Sequence, residues 1–64
     1  MTNTGGYLLD YADRNRGSFS VFRHRDGNWI AMYDDDTCAT EGYGPNAHDA
    51  VDHLEAKIRA QRAI

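Results

Sequence analysis

Sixty-four residues, 41% hydrophobic and 27% charged, suffice for one domain over 1–64 and leave no room for a second folding unit or a large catalytic cleft. A domain of this size buries only about 60% of the surface its unfolded chain exposes, so nearly every large apolar side chain must serve the core or an interface. Seven Lys and Arg against ten Asp and Glu give a net charge of −3, which disfavours nucleic acid as the main partner and favours a protein.

No apolar run approaches the length of a membrane span, so neither a transmembrane helix nor a secretory signal is expected. The single cysteine, Cys38, has no partner for an internal disulfide and cannot build a Cys-rich zinc site. A soluble protein of a reducing cytoplasm, resting on its hydrophobic core alone, is the expectation.

Residues 1–5 are polar and read as a flexible terminus. Tyr7 to Ala12 reads as a strand with Tyr7, Leu9 and Tyr11 on one face, with a helical turn as the alternative; the polar stretch Asp13 to Gly17 then returns the chain. Ser18 to His24 and Trp29 to Asp34 are rich in β-branched and aromatic residues and flank Asp26-Gly27, a strong hairpin signal. With Asp26 and Gly27 at the centre of a type I′ turn, His24 faces Trp29, Phe22 faces Ala31 and Ser20 faces Tyr33. Asp34, Asp35 and Asp36 form a turn, Thr37 to Glu41 is a short third or fourth strand, and Gly42-Tyr43-Gly44-Pro45 breaks the sheet. Asn46 is a good helix cap, and Ala47, Ala50, Val51, Leu54 and Ile58 recur at helical spacing, predicting a helix over about 47–63. The fold class is therefore α+β: an antiparallel sheet of three to four strands with one C-terminal α-helix packed on one face.

One helix covers one face of a sheet. In the type I′ register, Phe19, Val21, Ile30 and Met32 meet the helix, which leaves Phe22, Trp29 and Tyr33, with Tyr7 and Tyr11, on the open face. Such an aromatic patch marks a binding surface unless the N-terminal segment folds over it, and both readings stay open. The acidic turn Asp34, Asp35 and Asp36 lies beside it as a charged rim, so these eight residues form the candidate partner-binding set.

Catalytic and metal chemistry find no constellation. Three consecutive aspartates point in different directions and lack the spacing of a cation loop. His48 and His53 are not the i, i+4 pair of zinc enzymes; His48 with Asp52 and Asp49 with His53 read as helical surface pairs. His24, opposite Trp29, and Cys38, in an apolar strand, read as structural. No cofactor site and no set of acid, base and oxyanion donor is present, so a non-enzymatic protein is expected. Arg14, Arg16, Arg23 and Arg25 are interspersed with Asp10, Asp13 and Asp26, which favours local pairing over nucleic-acid contact.

Ser18 to Ile58 resembles the compact β-β-β-α unit of the HicB antitoxin family. The resemblance is carried by Asp26-Gly27, Trp29-Ile30-Ala31, Cys38-Ala39-Thr40-Glu41-Gly42, the cap Asn46, and Ala50-Val51 with Leu54 and Ile58. It implies that fold and, by function, neutralisation of a ribonuclease toxin. Tyr43 to Pro45 lengthens the loop before the helix, and the family's DNA-binding half has no counterpart in this chain. By type alone, a short acidic chain with spare aromatic surface is similar to the anti-CRISPR inhibitors of phages. The expected function is thus a small acidic inhibitor of a nucleic-acid-handling effector in a bacterial host. The alternatives are a HicB-like antitoxin and a small nucleic-acid-binding module, and the protein is expected to be a monomer or a homodimer.

Overall fold

A computed structural model describes residues 6–62 and runs α1 (Gly6–Asn15), β1 (Ser18–Arg23), β2 (Trp29–Asp34), β3 (Ala39–Gly44) and α2 (Ala47–Arg62). The three strands form one antiparallel sheet in the order β1-β2-β3. The expected fold class is therefore observed, with an additional N-terminal helix. The expected flexibility of residues 1–5 and the expected helix end at Ala63 lie outside the described residues.

Tyr7 to Ala12 is helical rather than extended. Leu8 and Ala12 recur at i, i+4 and are both buried, whereas an alternating pattern would have set the 61%-exposed Leu9 beside Tyr7 and Tyr11. Tyr7 and Tyr11 stack along the same helix, their ring centroids 6.1 Å apart. The helix ends in a Schellman motif, with Arg16 in the left-handed region (φ 56°) and the N–H of Gly17 donating to the carbonyl of Ala12 at 2.8 Å.

The β1–β2 hairpin is one residue out of the expected register. Its pairs are Phe19 with Tyr33, Val21 with Ala31, Phe22 with Ile30 and Arg23 with Trp29. The cause is the turn. The N–H of Gly27 donates to the carbonyl of His24 (3.0 Å), Gly27 has φ +98°, and His24 N–H donates to Asn28 (2.7 Å). This is a three-residue loop, a type I turn closed by a left-handed glycine, and not a two-residue type I′ turn. Because side chains alternate with a period of two, the slip turns β2 over relative to β1: Phe19, Val21 and Phe22 keep their expected faces, while Trp29, Ala31 and Tyr33 change places with Ile30 and Met32. Phe19, Val21, Trp29, Ala31 and Tyr33 face the helices, while Phe22, Ile30 and Met32 face away.

β3 also differs from expectation. It covers Ala39–Gly44, so Gly42-Tyr43-Gly44 lies within the sheet, while Thr37 and Cys38 belong to the preceding turn. A Cβ added at Gly42 would lie 2.8 Å from the Ala50 carbonyl oxygen and from Leu54 Cα. The glycine lets the α2 backbone rest directly on the strand. Asn46 caps α2 as expected, its Oδ1 accepting from the N–H of Asp49 at 2.8 Å. Between the helices and the sheet lies a core of Leu8, Ala12, Ala31, Tyr33, Ala50, Val51, Leu54 and Ile58.

Candidate functional site

The face of the sheet turned away from both helices carries three cross-strand rows: Ser18, Asp34 and Ala39; Ser20, Met32 and Glu41; and Phe22, Ile30 and Tyr43. Phe22, Met32 and Tyr43 are 42%, 41% and 47% exposed and form an apolar strip across all three strands. A shallow concavity of about 450 Å³ lies beside it, lined by Ser18, Ser20, Met32, Asp34, Ala39 and Glu41 among others. Its walls combine hydroxyls, two carboxylates and a thioether, a surface suited to an apolar side chain with a basic neighbour.

Tyr43 leans toward the β3 edge. Its hydroxyl donates to Glu41, and the ammonium of Lys57 stands 5.7 Å from its ring centroid. The bond to Glu41, with some desolvation, pushes the Tyr43 hydroxyl above its ordinary pKa.

The sequence-predicted set is divided by this geometry. Phe22 and Asp34 lie on the open face, and both are exposed. Tyr33 is 1% exposed in the core, and Trp29 is half-buried on the same helix-covered face. Tyr7 and Tyr11 are half-buried against that core from α1, with Tyr11 edge-on to Tyr33 at 5.1 Å. The aromatic patch expected on the open face is therefore mostly core, and Met32, Ile30, Tyr43 and Glu41 stand where it was placed. The small pair Ala31 and Gly42, adjacent on one face, was the available signal: only that face admits a close helix.

The acidic turn is likewise divided. Asp35 Oδ2 accepts from the Tyr33 hydroxyl at 2.5 Å, and its Oδ1 accepts from Thr37 N–H (2.8 Å), Thr37 Oγ1 (2.9 Å) and Cys38 N–H (2.8 Å). The Tyr33 bond and then these amides hold the Asp35 carboxyl far below the usual carboxylate range. Asp35 thus organises the turn, and the exposed Asp34 and Asp36 are its carboxylates turned to solvent.

His48 pairs with Asp52 at 3.2 Å as expected. His53 does not face Asp49; its Nδ1 accepts from the backbone N–H of Tyr43 at 3.0 Å. His24 lies opposite Asn28 rather than Trp29 and pairs with Asp26 at 3.2 Å. Cys38 is half-buried, and burial pushes its thiol up, away from nucleophilic thiolate chemistry. Arg14 pairs with Asp10 at 3.1 Å, and the strand β1 separates Arg14 and Arg16 from Arg23 and Arg25. Among the described residues no group of three or more His, Cys, Asp or Glu is placed to hold a metal ion, and no helix is long and apolar enough to cross a membrane. Comparisons of the chain with protein-family models, with curated proteins and with solved structures found no match.

Proposed function

We propose that this chain is a non-enzymatic binding module that docks its open sheet face on a nucleic-acid-handling effector protein and blocks it, in the manner of a small anti-CRISPR-type inhibitor acting in a bacterial cytoplasm. The observation that carries this reading is the strip of Phe22, Met32 and Tyr43, with the half-buried Ile30 among them, left open in a domain that can spare little apolar surface. Asp34 and Glu41 flank the strip, so a basic partner channel gains both apolar burial and charge complementarity there. Direct nucleic-acid binding is disfavoured by the net charge of −3 and by arginines divided between the two ends of β1.

The test is a pull-down from a bacterial host lysate with the tagged chain and, in parallel, a folded Phe22→Ser/Met32→Ser variant, with captured proteins identified by mass spectrometry. Capture of a CRISPR effector subunit by the parent alone supports the reading. A ribonuclease toxin captured instead would replace it with the antitoxin reading, and equal capture by parent and variant would remove the open face from the interaction.

A further inference from the structure

The two edges of the sheet are finished differently. On β3, the outward N–H of Tyr43 is bound by His53 and the outward carbonyl of Glu41 by Lys57 at 2.8 Å, so two side chains one turn apart on α2 occupy the middle of that edge. On β1, the bond from His24 N–H to Asn28 sets the phase of the ladder: Ser18, Ser20 and Phe22 turn their backbone groups toward β2, and Phe19, Val21 and Arg23 turn theirs outward. This strand has six residues and contains no proline or lysine, and its one charged residue, Arg23, stands at the hairpin end.

We propose that the β1 edge pairs with the β1 edge of a second copy of this chain, antiparallel about a two-fold axis at Val21, to form a continuous six-stranded sheet. Charge and shape select this occupant. Counting Asp26 and Arg16, the hairpin end of the unit is net basic (Arg23 and Arg25 against Asp26) and the far end net acidic (Asp34, Asp35 and Asp36 against Arg16), and antiparallel pairing turns each copy's basic end toward the other's acidic end. With Val21 opposite its own copy, Phe22 falls opposite the partner's Ser20. The exposed ring then has a small neighbour beside it and the partner's Met32 one strand further on. The apolar strips of the two open faces become one. The pairing stands apart from the effector proposed above and is tested without it.

Sedimentation equilibrium on the full chain is expected to give twice the chain mass at high concentration. Amide exchange followed by NMR is expected to show Phe19, Val21 and Arg23, the alternating outward set, gaining protection as concentration rises. Val21→Pro removes an outward N–H without touching the β2 ladder and is expected to weaken dimerisation about tenfold or more. Ser20→Lys, at an exposed site, weakens it too and serves as the variant that leaves the core intact. A monomer at millimolar concentration, or a dimer whose outward amides stay unprotected, would overturn the proposal.

Discussion

Gly42 of β3 lies under Leu54 of α2 so closely that a methyl group on the glycine would sit 2.8 Å from Leu54 Cα. The neighbour is helix backbone, which cannot swing aside as a side chain would. Gly42→Ala must lift α2 from the sheet, and with it the fully buried Leu54 and Ile58. A loss of about 2–3 kcal/mol is expected, which in so small a domain lowers the melting temperature by roughly 10 °C or more. Gly27→Asn is the comparison. It adds atoms where nothing lies within 4 Å, so its cost is the backbone strain of φ +98° alone, about 1 kcal/mol and clearly less than that of Gly42→Ala in the same thermal melt.

The sequence reading and the structure part at one turn, and much follows from it. Period-two alternation made both strands of the hairpin legible, and the i, i+3, i+4 pattern with the Asn46 cap made α2 legible. Asp26-Gly27 is compatible with two loop lengths, however, and a difference of one residue moved Trp29 and Tyr33 from the open face into the core. Tyr7 to Ala12 is short enough to satisfy both periods. Its outcome is decided by tertiary packing of Leu8 and Ala12 against the core, which no local pattern displays. Gly42 and Gly44 read as breakers because glycine weakens strands; here close approach of a helix outweighs that cost.

The observed register separates two residues that a type I′ turn would put on the same face, and so predicts unequal costs. Trp29→Ala removes a side chain packed against the core and should cost about 2 kcal/mol or more, whereas Phe22→Ser on the open face should change stability by less than about 0.5 kcal/mol. Partner capture should follow the reverse order once folding is accounted for. Urea titrations of both variants at neutral pH check the first half. A Trp29→Ala variant as stable as Phe22→Ser would instead place Trp29 beside Phe22 on the open face, as the type I′ register does.

Arg16 occupies the left-handed position after α1, where glycine is the usual residue. The Schellman bond from Gly17 to Ala12 holds it there against the clash of its own Cβ. Arg16→Gly should relieve that strain and raise stability by about 0.5–1 kcal/mol, a rise of a few degrees in melting temperature. A lowered melting temperature would mean that the arginine side chain makes a stabilising contact outweighing its backbone cost.

The Tyr33–Asp35 pair sets limits at both ends of the pH scale. Hydrogen bonds from the Tyr33 hydroxyl, Thr37 and Cys38 depress the Asp35 carboxyl. A depressed carboxyl contributes stability above its unfolded pKa of about 3.9, lost as pH falls toward the folded value. Burial, then the bond to Asp35, raises the Tyr33 hydroxyl beyond its ordinary range. Its contribution is full below the unfolded pKa of about 10 and lost as pH rises above it. Urea midpoints from pH 2.5 to 11 should show the gap between parent and Asp35→Asn narrowing below about pH 4, and that between parent and Tyr33→Phe narrowing above about pH 10. Gaps that stay constant across both windows would show that neither ionisation is linked to folding.

His53 and Lys57 provide the sharpest contrast between the two sheet edges, because removing them should create a second open edge without disturbing the core. Each makes one bond to β3 backbone, His53 from an exposed and Lys57 from a half-buried position of α2, and loss of either is expected to cost about 1 kcal/mol. The larger effect lies in assembly. A chain with one free edge can only form a closed pair, whereas a chain with two free edges can add copies at both ends without limit. His53→Ala/Lys57→Ala should therefore melt within a few degrees of the parent while light scattering shows species growing past the pair as concentration rises. Adding Val21→Pro to the same chain should halt that growth at β3-edge pairs, because the β1 edge is then closed. If the double variant keeps the parent's size distribution, the β3 edge is protected by something other than these two side chains.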